Sequence, residues 1–276
     1  MRGTVATVLT VLRQRRWVGF TLFTVFMLAL FVRLGIWQFG KLVVRRASNA
    51  IVTANQAAAP APLFSVVASS GPGSVVGARL EWRTVTMSGH WDPAHQVLLR
   101  NRTFDSVDGY EVITPLVGPS GPALLVNRGW IPQGSSSAAP SKVPVPQSGP
   151  VTVVAWLRQS QPAHPSGSLP AGQVLAINAA AIGAGTGYPV VDGYAILAKE
   201  TPAESGAPTL LPGVVIDDGP YLSYGIQWFL FTGVAVVGWW IFVRKEAETQ
   251  DEGESQRGDT QIPDRNTPLP DSVRMG

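Results

Sequence analysis

The chain has 276 residues, of which 45% are hydrophobic and only 14% are charged. Soluble domains carry roughly 25% charged residues, so this composition indicates segments that lie outside water. The formal net charge of +3 is too small to indicate a nucleic-acid partner, and no dense run of Lys and Arg with interleaved aromatic residues occurs. Because the chain has no cysteine, disulfides, thiol nucleophiles and Cys-ligated metal sites are excluded.

The first long apolar segment, residues 17–39, follows a short N-terminal stretch, residues 1–16, and contains a single charge, Arg33. At ~1.5 Å per helical residue it is long enough to cross a hydrocarbon core ~30 Å thick. A cleaved signal peptide is the alternative, because several arginines precede the segment. The apolar run is longer than a signal-peptide core and is followed by a poor cleavage site, QFGKLVVRR, so the sequence favours a membrane-spanning helix.

Residues 40–220 contain the signals of a folded domain rich in β-structure. The first helix is expected to continue to about Gln56, before the Ala/Pro stretch AAAPAPL, and a second short helix is expected at residues 178–184. Seven runs with strand character are separated by Gly- and Pro-containing turns: residues 80–91, 96–102, 110–117, 123–131, 151–158, 174–177 and 194–199. Strands at this spacing predict a mainly-β domain, an antiparallel barrel or sandwich.

The second apolar segment, residues 221–243, is uncharged and fixes the expected orientation. Arg244 and Lys245 follow it and two aspartates precede it, so its C-terminal end is expected to face the cytoplasm. Two spans place both termini on the same side, which leaves residues 40–220 outside the cytoplasm. The remaining residues, 244–276, are acidic and poor in aliphatic side chains, and are predicted to form a disordered cytoplasmic tail.

Side chains that carry chemistry are few in the domain. His90, Asp92 and His95 in GHWDPAHQ would suit a metal-dependent enzyme, but WDPA is typical of a turn and the spacing is not that of a helical metal motif. The sequence therefore predicts no catalytic residue and no metal ligand.

The segment LLVNRGWIP, residues 124–132, is the most unusual part of the domain. Gly129 would permit a positive φ or a close backbone approach, and Trp130 would anchor the domain on its core, a partner or the membrane surface. Arg128 would form a bidentate pair with a carboxylate, and the alternative is an arginine with a purely structural role at the base of the domain. The expected carboxylate partners of Arg128 are Asp105, Asp108 and Glu111.

Six motifs in chain order resemble those of the surfeit locus protein family, the biogenesis factors of cytochrome c oxidase. They are LGIWQ at 34–38, VTMSGHW at 85–91, LRNR at 99–102, GYEVITPL at 109–116, LVNRGWIP at 125–132 and YGIQWF at 224–229. Each motif alone is short. Together, on a chain with two apolar segments flanking a domain of this length, they identify the resemblance.

The resemblance implies a protein of the bacterial cell membrane that is not an enzyme. It would act within the lipid bilayer by contact with cytochrome c oxidase subunits, chiefly the subunit that carries haem a. A permanent accessory subunit of a respiratory complex is the nearest alternative. The positions with an implied contact or structural role are Arg33, Trp37, Gln38, Asn101, Arg102, Asn127, Arg128, Gly129, Trp130, Tyr224, Gln227 and Trp228.

The resemblance also raises the question of haem a, because some members carry a histidine at the start of the second span within an Asn-His-Leu-x-Tyr-Ala pattern. Here Tyr221 stands at that position, and neither span contains a histidine. Tyr is a known but uncommon haem ligand. The sequence therefore favours action by protein contact, with Tyr221 as a haem a ligand kept as the alternative.

Overall fold

The computed structural model describes residues 2–67, 74–119, 121–134, 140, 143–164 and 169–259, with side chains described between residues 8 and 253 of these ranges. The chain forms two compact units, residues 1–45 with 218–276, and residues 46–217. In chain order the helices and strands are α1 (Arg2–Arg13), α2 (Arg15–Ala57), β1 (Ala61–Pro62), α3 (Leu63–Val66), β2 (Thr84–Trp91), β3 (Val97–Phe104), β4 (Val107–Val117), β5 (Ala123–Pro132), β6 (Pro150–Arg158), β7 (Gln173–Val174), α4 (Ala179–Gly183), β8 (Val190–Thr201) and α5 (Tyr221–Asp259).

Two of the helices, α2 and α5, are long and apolar enough to cross a membrane, which agrees with the two segments read from the sequence. The predicted continuation of the first helix is confirmed, since α2 runs on to Ala57 and ends three residues before Pro60. The short helix α1 was not predicted. It packs against α5, and Val11, Val243 and Ala247 are fully buried in this unit.

Helix α5 extends beyond the segment 221–243 as far as Asp259, so part of the tail predicted as disordered is helical. The residues just after the apolar segment include Glu, Lys, Ala and Gln, which favour a helix even without a buried face. Arg244 also donates to Glu248 one turn later, at 2.8 Å. Residues 260–276, the rest of the predicted tail, lie outside the described residues.

The prediction of a β-rich domain is confirmed, and each of the seven predicted runs overlaps one of the strands β2 to β8. The sixth run, residues 174–177, shares only Val174 with β7. The predicted short helix is α4, which begins after Asn178. The side chain of Asn178 caps this helix by accepting a hydrogen bond from the amide of Ala181 at 2.8 Å.

The expectation of purely antiparallel pairing is wrong, because the sheet is mixed. Its eight strands follow the order β1-β2-β6-β8-β5-β4-β3-β7, and β2 pairs in addition with β4 at His90 and Trp91. The pairs β1–β2, β3–β7 and β5–β8 are parallel. The parallel pair in the middle arises because β8, the last strand in the chain, inserts between β6 and β5 instead of adding to an edge.

Strand β5 lies at the centre of this sheet and is buried from Ala123 to Ile131. Leu124 and Val126 belong to one apolar cluster, whereas Leu125, between them, belongs to a second cluster. Successive side chains of a strand point to opposite faces, so β5 contributes to the core on both faces of the sheet. Any polar side chain on β5 is therefore removed from water.

Candidate functional site

A β-bulge in β5 places Arg128. Asn127 lies opposite Ile113 of β4 and Gly129 lies opposite Val112, so Arg128 is an extra residue with no residue facing it across the ladder. Bulges of this kind redirect a side chain out of the regular alternation. The bulge accommodates three polar or small residues in succession within an otherwise apolar strand.

Arg128 is 1% exposed and forms an ion pair with Glu204, whose side chain is 6% exposed. Its guanidinium also donates to Gln96 Oε1 at 3.2 Å and to the carbonyl of Pro144 at 3.3 Å. The expected carboxylate pair is present, but the predicted partners are wrong. Glu204 follows β8, and no sequence pattern indicates that β8 lies beside β5.

The surroundings of Arg128 extend its network of polar contacts. The guanidinium carbon lies 5.5 Å from the ring centroid of Trp91, within the range of a cation–π contact. The indole of Trp91 donates to Glu200 at 2.9 Å, and the amide of Gln147 donates to the same carboxylate at 2.9 Å. The network thus binds the segments after β5 and after β8 to the sheet.

On the other side of the bulge, Asn127 is 1% exposed and donates to Glu111 at 2.6 Å, while its side-chain oxygen accepts from the amide of Gly129 at 3.1 Å. Arg102 lies 3.6 Å from Glu111. Burial raises the pKa of Glu111, and the Arg102 guanidinium and the Asn127 amide offset this effect only in part. Glu111 was one of the carboxylates expected for Arg128, and its partners are Asn127 and Arg102 instead.

Gly129 and Trp130 hold the segment that contains Thr209 against β5. Gly129 has φ +131°, and a Cβ built there would lie 2.3 Å from the carbonyl oxygen of Thr209. Trp130 exchanges two backbone hydrogen bonds with Thr209, at 2.8 and 2.9 Å. Only glycine fits this close approach at a positive φ. Gly129 therefore shows both features that its position in the sequence suggested.

Trp130 is 7% exposed, and its ring packs against Phe104 with centroids 5.6 Å apart and an angle of 35° between the ring planes. The indole donates to the carbonyl of Arg102 at 2.9 Å. This carbonyl follows Asn101, which has φ +57° beside a register shift in β3. The structure therefore places Trp130 in the core of the domain. The sequence suggested that Trp130 anchors the domain on its core, on a partner or on the membrane surface, and the structure supports the core.

The motifs LGIWQ of α2 and YGIQWF of α5 pack on each other through glycines. A Cβ built on Gly35 of α2 would lie 2.6 Å from the ring of Phe229, and one built on Gly225 of α5 would lie 3.1 Å from the ring of Phe39. The rings of Phe39 and Phe229 stack with centroids 5.9 Å apart. Each glycine thus receives an aromatic ring of the other helix, which holds the pair at close range.

This packing leaves most of the remaining motif residues on the outside of the helix pair. Trp37 is 50% exposed and Tyr224 is 47% exposed, and Gln227 and Arg33 are exposed as well. Arg33 forms no ion pair with any side chain in the described part of the chain. Trp228 stacks on Phe31 at 5.7 Å, and Gln38 and Tyr221 are half-buried. The helix pair therefore presents aromatic and polar groups outward.

Asp92 forms a cluster with His95 and Tyr188, which differs from the group of His90, Asp92 and His95 considered from the sequence. It accepts hydrogen bonds from His95 Nδ1 and from the Tyr188 hydroxyl, both at 2.6 Å. Burial alone would raise the pKa of Asp92, but the bonds from Tyr188 and His95 outweigh it, so this pKa lies below its usual value. His90 is exposed on β2 and does not join them.

Tyr188 was missed from the sequence because it lies 96 residues from Asp92. Within the described ranges, no group of three His, Asp or Glu side chains is arranged to hold a metal ion. The arrangement instead fastens the turn at residues 92–95 to the segment before β8.

Comparison with known proteins places these features in one family. A family model described as the SURF1 family matches residues 25–233. An uncharacterized SURF1-like protein of Mycobacterium bovis is 34% identical over 226 residues, which cover 78% of this chain and 79% of that protein. SURF1-like proteins from two strains of Mycobacterium tuberculosis match at the same identity and coverage.

Proposed function

Since this chain belongs to the SURF1 family, we propose that it is a non-enzymatic assembly or accessory factor of haem–copper cytochrome c oxidase. In this proposal the two long helices lie in the bacterial cell membrane with both termini in the cytoplasm. They contact oxidase subunits, chiefly the one that carries haem a.

The observation that carries the proposal is the different exposure of the motif residues in β5 and those on the two long helices. Arg128, Asn127 and Trp130 are buried in the β domain, where a partner protein does not reach them. Trp37 and Tyr224 are about half exposed on the helix pair. Exposed aromatic residues are frequent contributors to binding energy in protein interfaces. The contact with oxidase is therefore assigned to the helix pair.

The residues at the start of α5 do not fit a haem a site. The position that would supply an imidazole holds Tyr221, a phenol that must lose its proton to become a strong ligand, and neither span supplies a histidine. The apolar hollows on the helix pair are lined by α5 residues from Ala235 onward, fourteen or more positions further along the helix. We therefore propose a function through protein contact, without a step that involves bound haem.

The experiment that tests the proposal is purification of the full chain from its own membranes in a mild detergent. We expect oxidase subunits to co-purify and a deletion strain to lose haem a absorbance. Co-purification with incomplete oxidase alone indicates an assembly factor, whereas stoichiometric recovery with the mature enzyme indicates an accessory subunit. Recovery of the folded chain without any oxidase subunit, together with normal haem a in the deletion strain, would contradict the proposal.

The same preparation tests the alternative of a membrane-tethered, metal-dependent enzyme outside the cytoplasm. That function requires a bound metal near His95. In the structure the Asp92 carboxylate instead accepts hydrogen bonds from His95 and Tyr188. Stoichiometric metal that is lost in a His95→Ala variant would favour the enzyme.

A further inference from the structure

Two of the apolar hollows on the helical unit share lining residues near the cytoplasmic ends expected for the helices. The first, about 290 Å³ in volume, is lined by Arg16, Trp17, Phe20 and Phe242. The second, about 340 Å³, is lined by residues of both long helices: Phe20, Phe23, Thr24, Met27, Phe31, Ala235, Gly238, Trp239 and Phe242. Phe20 and Phe242 line both hollows, so the two are adjacent and form one groove along the helix pair.

The length of the groove matches one leaflet of a bilayer. From Phe20 to Phe31 the helix advances eleven residues, or ~16 Å at ~1.5 Å per residue. This is about half of a ~30 Å hydrocarbon core. The groove lining in this stretch is apolar apart from the Thr24 hydroxyl, which donates to the carbonyl of Phe20 at 2.9 Å. An acyl chain of one leaflet therefore fits both the depth and the chemistry of the groove.

The end of the groove near the start of α2 is positively charged. Arg16 lines it, is 66% exposed and forms an ion pair with Glu246. Its Nε also donates to Gln14 at 3.2 Å, so about three of the five guanidinium N–H groups have no protein acceptor among the described residues. Arg13 and Arg15 are exposed close by and form no ion pair with a described side chain.

We propose that this groove binds one anionic glycerophospholipid of the cytoplasmic leaflet. The phosphate group of the lipid accepts hydrogen bonds from Arg16, and one acyl chain lies along Phe20, Phe23 and Met27 between the helices. The proposal rests on the membrane placement proposed above and does not depend on the oxidase partner.

The lining of the groove favours a lipid over a helix of another protein. Helices in membranes pack closely where both present small residues, as Gly35 and Gly225 do at the other end of the pair. Here the small residues Ala235 and Gly238 share the lining with three large rings. These rings are Phe20, Phe23 and Phe242, and each is at least 36% exposed. Large side chains hold a second backbone at a distance and leave narrow spaces between them, which suit a flexible acyl chain.

The first test of the proposal changes the charge at the end of the groove. The full chain is exchanged into detergent with either phosphatidylglycerol or phosphatidylcholine, and bound lipid is counted by native mass spectrometry. We expect one retained phosphatidylglycerol and little phosphatidylcholine. Arg16→Gln should weaken retention of phosphatidylglycerol roughly fivefold. Glu246→Gln breaks the same ion pair but keeps the cation, so it should retain the lipid at least as well as the wild type.

The second test fills the groove. A Cβ at Gly238, which lines the groove, or at Gly233, which does not, would meet no atom within 4 Å. Leucine is therefore tolerated at both positions without a clash at its Cβ. Gly238→Leu should displace the bound lipid, whereas Gly233→Leu should leave it in place.

Several results would overturn the lipid site. Equal retention of both lipids, or retention that neither Arg16→Gln nor Gly238→Leu reduces, shows that the lipid belongs to the general annulus around the protein. No retained lipid, with a second protein lost from native membranes in the Gly238→Leu variant, shows that a partner helix fills the groove. Because the binding measurement contains no oxidase, its failure leaves the proposed oxidase contact untouched.

Discussion

The polar residues at the β5 bulge and the motif residues near Gly35 and Gly225 of the two long helices have opposite surroundings. In the domain, Arg128 and Asn127 are each 1% exposed and every contact they make is internal. On the helices, Trp37 and Tyr224 are about half exposed, and the internal contacts are made by Gly35 and Gly225 instead. Arg128 and Asn127 therefore build the fold, whereas Trp37 and Tyr224 are available to a partner.

The comparison predicts that removal of the buried charge of Arg128 has the largest effect on the stability of the domain. Arg128→Ala leaves Glu204 buried without a partner, so we expect the domain to lose ~3–5 kcal/mol of unfolding free energy. Arg102→Ala is the matched control: that arginine is 34% exposed and its removal should change stability by ~1 kcal/mol or less. Thermal unfolding of the full chain in detergent measures both. Equal effects would show that the buried network has no special role.

The next effect concerns the close approach at the bulge. Gly129→Ala forces a side chain into a positive φ and against the backbone of Thr209, and should destabilise the domain by about 3 kcal/mol. Gly149 also has a positive φ, +99°, but a Cβ there would meet nothing within 4 Å. Gly149→Ala should therefore lower the unfolding free energy by only ~1 kcal/mol. If the two variants unfold alike, the contact with Thr209 contributes nothing.

The helix pair is expected to show the reverse behaviour. Tyr224→Ala should leave thermal unfolding within about 0.5 kcal/mol of the wild type, because the side chain is exposed. It should reduce the recovery of oxidase subunits by about fivefold to thirtyfold, the loss of ~1–2 kcal/mol typical of an interface aromatic. Val234→Ala, also on the exposed surface of α5, is the control and should keep normal recovery. Normal recovery with Tyr224→Ala would move the contact away from this motif.

The smallest expected effect is a dependence of stability on pH within the domain. The pKa of Asp92 is lowered in the folded chain, so its contribution is complete above the ordinary pKa of 3.8 and is lost as the pH falls through the lower folded value. The contribution should be about 1 kcal/mol or less. Unfolding measured from pH 6 down to about pH 2.5 should show a shallower loss of stability in Asp92→Asn than in the wild type. If the unfolding free energy falls with pH equally steeply in both proteins, Asp92 does not contribute to the loss of stability in acid.

Much of this architecture could be predicted, because it depends on local patterns. The two apolar segments can be identified by their length alone. The runs that correspond to β2 to β8 have strand character and are separated by Gly- and Pro-containing turns. Asn, Arg and Gly within an apolar strand marked the unusual segment around Arg128, although the bulge itself was not predicted. These features are encoded by neighbours in the sequence, where period and composition are informative.

The parts that could not be predicted depend on which strands become neighbours. Glu204 meets Arg128 only because β8 enters the sheet beside β5, and Tyr188 meets Asp92 across 96 residues. Alternating apolar residues indicate which face of a strand is buried but not which strand lies next to it. The partners of Arg128 suggested by proximity in sequence were wrong for this reason.

The position of β8 has a consequence for the synthesis of the protein. It is the last strand made but lies between strands made earlier, and Glu204 is made later still. Until the ribosome has delivered these residues, β5 has one unpaired edge and Arg128 has no counter-charge, so the domain remains open. Only about sixteen residues separate Glu204 from the first residue of α5. Completion of the domain and delivery of the second long helix are therefore nearly simultaneous, and a chain that stops before residue 204 is left unfinished and open to proteolysis.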